Sequence, residues 1–322
     1  MQAAAPRGEL AASAGLLFTA IAWGTMVPLT AVLLQDLPPF VIAASRYSMA
    51  ALVLAGIVAA RERTPVLPLG LPWGRILLLG GAGIGCFATG YTFGIGYSGP
   101  IAAAAILATQ PVVAALMEWF ATRRPIGGRM LIAVALAVFG GLLVAFGGRD
   151  AGASTAHGGE VLLVIALVCW TWYSVKVQAW LAPLGIGQLR ITLLTSGAAG
   201  LLLWLVYALT AAFGLQPLPA GFPGASHLGM LLWLAVGPTA IAIFTWNYGT
   251  GRLGITAASL FLNLSPVFAA LLGMALGAEP SWAELVGGGI AIAGVLFLQL
   301  GAVHALVEQN RWPRPLSDLT LQ

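Results

Sequence analysis

Cys169, Trp172, Tyr173, Lys176 and Trp180 recur at helical spacing and form the most chemically loaded run in the sequence. Residues three and four apart share a face of an α-helix, so the run predicts an aromatic stripe carrying one ammonium group. Such a face could pair Lys176 with a carboxylate while the rings pack an apolar side chain, the two needs of a zwitterionic ligand. A lysine close to the end of an apolar run can also snorkel to lipid headgroups, and the spacing leaves both roles open. Thr245-Trp246-Asn247-Tyr248 again joins rings to an amide, and Tyr91-Thr92-Phe93 joins rings to a hydroxyl. Gln110 and Asn247 each offer a donor and an acceptor, suited to an amino and carboxylate head group or to a bond between helices. Asn263, on one face with Ser259, carries the same two readings. Trp23 and Trp170 sit well inside apolar runs, where a tryptophan lines a cavity or packs a core.

Other groups point elsewhere. Gly96-Tyr97-Ser98-Gly99 matches the short GxSG pattern of intramembrane serine proteases. A serine nucleophile needs a positioned base, and His157, His227 and His304 all fall at the edges of apolar runs or between them. No catalytic residue is therefore assigned, and the chain is read as a non-enzyme. Cys86 and Cys169 stand apart from any cluster of ligands, so neither a disulfide framework, a metal site nor a cofactor is expected. Glu118 is the one acid well inside an apolar run, a place where a carboxylate can relay protons. With no acid nearer the middle of a run, gradient-driven movement is the expectation, with Glu118 as the alternative coupling residue. Arg46 and Arg190 begin their runs and are read as structural, reaching headgroups or backbone carbonyls.

The elements that must hold these groups follow from composition. The 322 residues are 60% hydrophobic and 7% charged, where a soluble domain carries about 25% charged residues. Water could not solvate such a surface, and lipid must. The net charge of +4 comes from residues scattered among apolar runs, which does not suggest nucleic acid. A span of hydrocarbon needs about 20 apolar residues, and cutting at proline, glycine and charge clusters predicts ten. They cover 12–34, 39–60, 73–96, 100–122, 127–148, 159–181, 187–213, 227–250, 255–277 and 282–304. Helices satisfy their own backbone within lipid, and the runs lack the alternation of a β-barrel.

The ten divide into two fives. Shifted by 155 residues, Gly94, Gly96, Gly99, Pro111 and Pro125 meet Gly249, Gly251, Gly254, Pro266 and Pro280 without a gap. Trp23 answers Trp170, and Arg46 lies near the position of Arg190. An odd number of spans per repeat inserts the second repeat upside down. Charge supports this: with a cytosolic N-terminus, Arg7, Arg61, Arg63, Arg75, Arg123, Arg124, Arg129, Arg252, Arg311 and Arg314 fall inside and Arg149 outside. The loop around Arg123-Arg124-Pro125 is basic, and its repeat-mate around Glu279-Pro280 is acidic, as the positive-inside rule requires. The predicted fold class is an all-α polytopic membrane protein with ten transmembrane helices in two inverted five-helix repeats around a central cavity. The division places one repeat in 1–150, the other in 151–308 and a cytosolic tail in 309–322. Inverted repeats of this kind are a transporter design. Prolines Pro111 and Pro266 are read as hinges or packing kinks.

Ala22-Trp23-Gly24, Arg46 before an alanine-rich stretch, Gln110-Pro111-Val112 and Ser265-Pro266-Val267 resemble the drug/metabolite transporter superfamily, and most closely its EamA-type branch. Within it, the chain looks like the aromatic amino-acid exporter subgroup known as YddG. The resemblance implies a basket of ten helices, a cavity lined by the first, third, fourth, sixth, eighth and ninth, and export of amino acids across a bacterial inner membrane. A multidrug or cation exporter of the same superfamily is the alternative. The expected lining is Trp23, Tyr91, Gln110, Trp170, Trp172, Tyr173, Lys176, Trp246, Asn247 and Asn263. The expected partners are a small-molecule substrate and lipid, with the chain read as a monomer.

Reporter fusions at Arg63, Arg124 and the C-terminal tail are expected to give cytosolic signals, and fusions at Ala153 and Gly221 periplasmic ones. A periplasmic signal from the tail would mean an odd number of spans and remove the basis for inversion.

Overall fold

The computed structural model describes residues 6–61, 70–123, 126–146, 158–219, 221, 223–265, 267–268, 282–283, 285–294 and 296–297. All regular structure among them is helical. The first span is α1 (Pro6–Gly24) continued by α2 (Met26–Leu33), and the second is α3 (Pro39–Arg61). The third and fourth comprise α4 (Trp73–Leu78), α5 (Cys86–Leu107) and α6 (Gln110–Thr122), and the fifth is α7 (Gly128–Phe146). In the second half follow α8 (Gly159–Trp180), α9 (Gln188–Ala212), α10 (Ala225–Leu234), α11 (Ala242–Leu253) and α12 (Ile255–Leu262). Six of the described helical stretches are long and apolar enough to cross a membrane. Shorter apolar pieces at Gly128–Leu143 and Leu285–Gly294 fall in the fifth and tenth predicted spans. Leu52, Phe139, Val161 and Leu201 are exposed on the outside of the bundle, a surface that belongs in hydrocarbon rather than water.

The helices are interrupted at equivalent places in the two halves. A π-helical stretch covers Leu79–Gly85 in the third span, and another covers Ala235–Ile241 in the eighth. Gly99 (φ 77°) and Gly254 (φ 81°), repeat-mates at the 155-residue shift, adopt backbone angles open chiefly to glycine. Each kinks the chain directly into the next span, so the predicted loop before residue 100 is reduced to a sharp turn at Gly99 between two helical segments of α5. Near mid-span, the fourth breaks at Ala108–Thr109 and the ninth at Asn263–Leu264, again 155 residues apart. Pro111 follows the first of these breaks as the second residue of α6, a position whose N–H no helix bond needs. It marks a helix restart. Pro266 and the tail lie outside the described residues. The first span breaks at Thr25, whereas its mate α8 is continuous.

Packing repeats the duplication. A Cβ on Gly94 would come within 2.6 Å of Leu163, and one on Gly249 within 2.6 Å of Leu16. Leu16 and Leu163 bear the same relation as Trp23 and Trp170, so the third span packs on the sixth as the eighth packs on the first. The second span meets the seventh, where Gly200 lies against the backbone of Ser48. The fifth meets the tenth, where Gly140 lies on the Ala291 backbone and Gly294 on that of Ala137. In lipid, where tails are as apolar as side chains, close backbone approach at small residues holds helices together.

Gly94→Val and Gly249→Val should lower stability to a similar extent, by about 1–3 kcal/mol each, as overpacked contacts do. Thermal unfolding of the detergent-solubilised protein checks this. Unequal losses would mean that the two contacts are not equivalent.

Candidate functional site

The inner faces of the first, third, sixth and eighth spans converge on a cluster of rings. Trp23 lies edge-on to Trp170 at 5.2 Å between centroids and 5.6 Å from Trp246, and Trp170 and Trp246 are 6.0 Å apart. Phe87 approaches Trp170 at 5.1 Å and stacks on Tyr91 at 5.5 Å, while Tyr173 sits 5.2 Å from Trp170. Trp170, Tyr173, Tyr91 and Trp246 are buried. The Trp246 indole donates to Ser174 at 2.8 Å, and the Ser174 hydroxyl donates to the Trp170 carbonyl at 2.9 Å. Trp23 donates its indole N–H to the Pro238 carbonyl at 2.7 Å. That carbonyl belongs to the π stretch. There the Thr239 hydroxyl donates to the Leu234 carbonyl at 2.7 Å.

A cavity lies beside these rings. Trp23, Met26, Phe87 and Trp170 line it, with Arg46 and Tyr47 from α3 and Pro238, Thr239 and Ile243 from the eighth span. It offers about 10 Å³ to the centre of a water-sized molecule, room for roughly one water. The Trp170 indole nitrogen and the Tyr91 hydroxyl are buried without a hydrogen-bond partner among the described residues.

The expected stripe on the sixth span divides in two. Tyr173 belongs with Trp170, Ser174 and Val177 on the inward face of α8. Trp172 is half-buried and packs edge-on against Trp180 at 5.7 Å, and the Lys176 ammonium lies 5.4 Å above the same Trp180 ring. At about 100° per residue, 172 and 176 lie roughly 160° and 120° round the helix from 170, while 173 falls between the two faces and is drawn to the inner one by its neighbours. Lys176 and Trp172 are thus absent from the lining of this cavity. The amides, too, are partly committed. Asn247 donates to the Tyr173 hydroxyl at 3.0 Å and to Thr192 at 3.2 Å, tying the eighth span to the sixth and seventh. Asn263 donates to the Ala108 carbonyl at 3.0 Å, joining two repeat-mates at their breaks. Gln110 is buried, and its amide nitrogen has no partner among the described residues.

Arg46 departs furthest from its expected role. It is 2% exposed and lines the cavity instead of reaching an interface. Seven residues into α3, at 1.5 Å each, it sits about 10 Å from the helix start. Its guanidinium donates to the Tyr47 hydroxyl at 3.1 Å, lies 4.8 Å over that ring and 5.9 Å from the Tyr91 ring centroid. A charge inside a span is by default functional. That signal was present in the sequence and was outweighed by the residue's nearness to the span end. Phe87 and Met26 had no such signal, because one ring or thioether in an apolar run looks like any other.

Glu118 also has a structural partner. Its carboxylate accepts the Thr256 backbone N–H at 3.0 Å and the Thr256 hydroxyl, capping α12 from the opposite half. At the other end of the bundle His227 and Asp36 pair at 3.0 Å, again across the halves. Ser98 of the GxSG run lies where a Cβ on Gly159 would collide with it, in the close packing of the third and sixth spans.

A membrane-embedded helical bundle with duplicated halves and a small cavity between them defines a carrier-type membrane protein. The EamA-like transporter model matches residues 10–146 and 157–300. The chain belongs to this family of ten-helix transporters and is a multi-pass membrane transporter. It is 25% identical over 79% of its length to the uncharacterized transporter YyaM of Bacillus subtilis, covering 82% of that protein. A probable terminal-alkyne amino-acid exporter of Streptantibioticus cattleyicolor is 28% identical over 47% of this chain and 48% of its own. The protein PecM of Dickeya dadantii is 27% identical over 86% of this chain and 88% of its own. One solved crystal structure shares the fold at a TM-score of 0.75, with 22% identity, over 91% of this chain and 99% of its own.

Asn247→Ala would leave two buried hydroxyls without their amide donor and should cost about 1–3 kcal/mol. An unchanged melting temperature would show that this amide does not tie the three spans together.

Proposed function

We propose that this transporter exports amino acids or similarly small neutral metabolites across a bacterial inner membrane, with both termini cytosolic. The halves, 1–150 and 151–308 with the tail at 309–322, would alternate around the cavity between them. The carrying observation is the tryptophan cluster built by both repeats, Trp23 from one and Trp170 and Trp246 from the other, beside that cavity. Aromatic faces accept an apolar side chain and attract an amino group by about 0.5–2 kcal/mol. The printed name of the Streptantibioticus relative supports amino-acid export, and the YddG-like reading of the sequence agrees with it. The cavity is far smaller than an amino acid, so the halves must part to admit one. Clasps at both ends, Glu118 to Thr256 and Asp36 to His227, are what such a movement has to break. On this reading Trp23 and Trp170, which line the cavity, touch substrate, and Tyr91 and Trp246 pack behind them. Gln110, Tyr173, Asn247 and Asn263 support the site. Trp172 and Lys176 anchor the end of the sixth span.

Counterflow in proteoliposomes with radiolabelled neutral amino acids is expected to be saturable, and Lys176→Ala to retain near wild-type flux. Exchange of a drug-like cation in the absence of amino-acid exchange would turn the reading to multidrug export. Loss of amino-acid flux in a well-folded Lys176→Ala protein would return Lys176 to the site.

A further inference from the structure

A guanidinium carries five N–H donors and stays charged at any accessible pH. Arg46 spends them poorly: one bond to Tyr47 at 3.1 Å and a sulfur contact to Met26 at 4.0 Å, with its Nε unpartnered. The residue is 2% exposed, and no carboxylate among the described residues pairs with it. Its rings at 4.8 and 5.9 Å favour a cation only weakly compared with an ion pair. A buried, unpaired charge is costly, and a cost kept beside a cavity points to a ligand that removes it. Arg190, near the corresponding position of the other repeat, is more exposed and is absent from the cavity lining.

We propose that Arg46 is the anion-recognition group of the central cavity, binding the carboxylate of the transported molecule through its planar fork. The proposal rests on the transporter reading of the cavity, and it narrows the substrate class to carboxylates. Zwitterions and organic anions fit, and amines without a carboxylate do not. The Tyr91 ring, its centroid 5.9 Å from the guanidinium carbon, backs the arginine on the side of the third span. The tryptophan cluster then takes the side chain, so polar and apolar ends of the substrate meet opposite sides of the cavity.

The test uses purified full-length protein, ligand-induced thermal shift and counterflow. Probes are phenylalanine, 3-phenylpropionate and phenethylamine, which share a ring and differ in carboxylate and amine. Wild-type protein should be stabilised by the two carboxylates and not by phenethylamine. Arg46→Gln should weaken carboxylate binding by about tenfold or more, the scale of a lost charged hydrogen bond, with Arg46→Lys between the two. Without ligand, Arg46→Met should melt no lower than wild type, because it removes an uncompensated buried charge. Undiminished carboxylate binding by Arg46→Gln, or phenethylamine binding as strong as phenylalanine, would overturn the proposal while leaving transport intact. A ligand-free melting loss in both Arg46→Met and Arg46→Gln would also overturn it, in favour of a structural arginine. If 3-phenylpropionate binds through Arg46 and no amino acid exchanges, Arg46 keeps its role and the amino-acid reading falls.

Discussion

Hydrocarbon cannot hydrogen-bond a freed backbone carbonyl, so every break in a membrane helix must be answered by the protein itself. This chain breaks its helices repeatedly, and the answers come largely from the opposite half. The Trp23 indole takes the Pro238 carbonyl, and the Asn263 amide takes that of Ala108. Within the eighth span the Thr239 hydroxyl adds a bond to the Leu234 carbonyl. Breaks that would be defects in a single helix become the points at which the two repeats hold one another.

The same constraint explains why the symmetry is close in backbone and loose in side chains. π stretches, positive-φ glycines and mid-span breaks recur at the repeat interval because they set helix directions. The groups that satisfy them do not recur. Asn263 bonds its own repeat-mate, and Ala108 has nothing with which to reciprocate. In the third span the π stretch is glycine-rich and lets Gly83 lie against Tyr173, whereas the eighth uses Pro238. Each half could specialise once the shared backbone was in place.

Specialisation concentrates around the cavity. Three tryptophans from two repeats meet there with a buried arginine; the first and eighth spans, which carry Trp23 and Trp246, are interrupted, whereas α8, which carries Trp170, is continuous. An interrupted helix bends at lower cost than a regular one. Placing the breaks next to the rings lets a bend change the volume of the cavity directly. The contacts across the halves at the two ends, Glu118 with Thr256 and Asp36 with His227, involve single side chains or single pairs.

By itself the sequence determined the solvent, the helical class, the duplication and the division into spans, because these depend on composition, length and a gapless register of glycines and prolines. It also marked Trp23, Trp170 and Trp246 as residues of interest. The tertiary structure decided which face of each helix turns inward. The 172–176–180 face was legible as a stripe, yet a helix has several faces, and only its neighbours select one. That choice moved Lys176 out to Trp180 and brought in Tyr173 with Trp170. It also put Arg46 inside, since depth along a span says nothing about lateral position in the bundle. Phe87 and Met26 gained their place at the cavity from three-dimensional neighbours alone, the information a linear pattern of apolar residues does not carry.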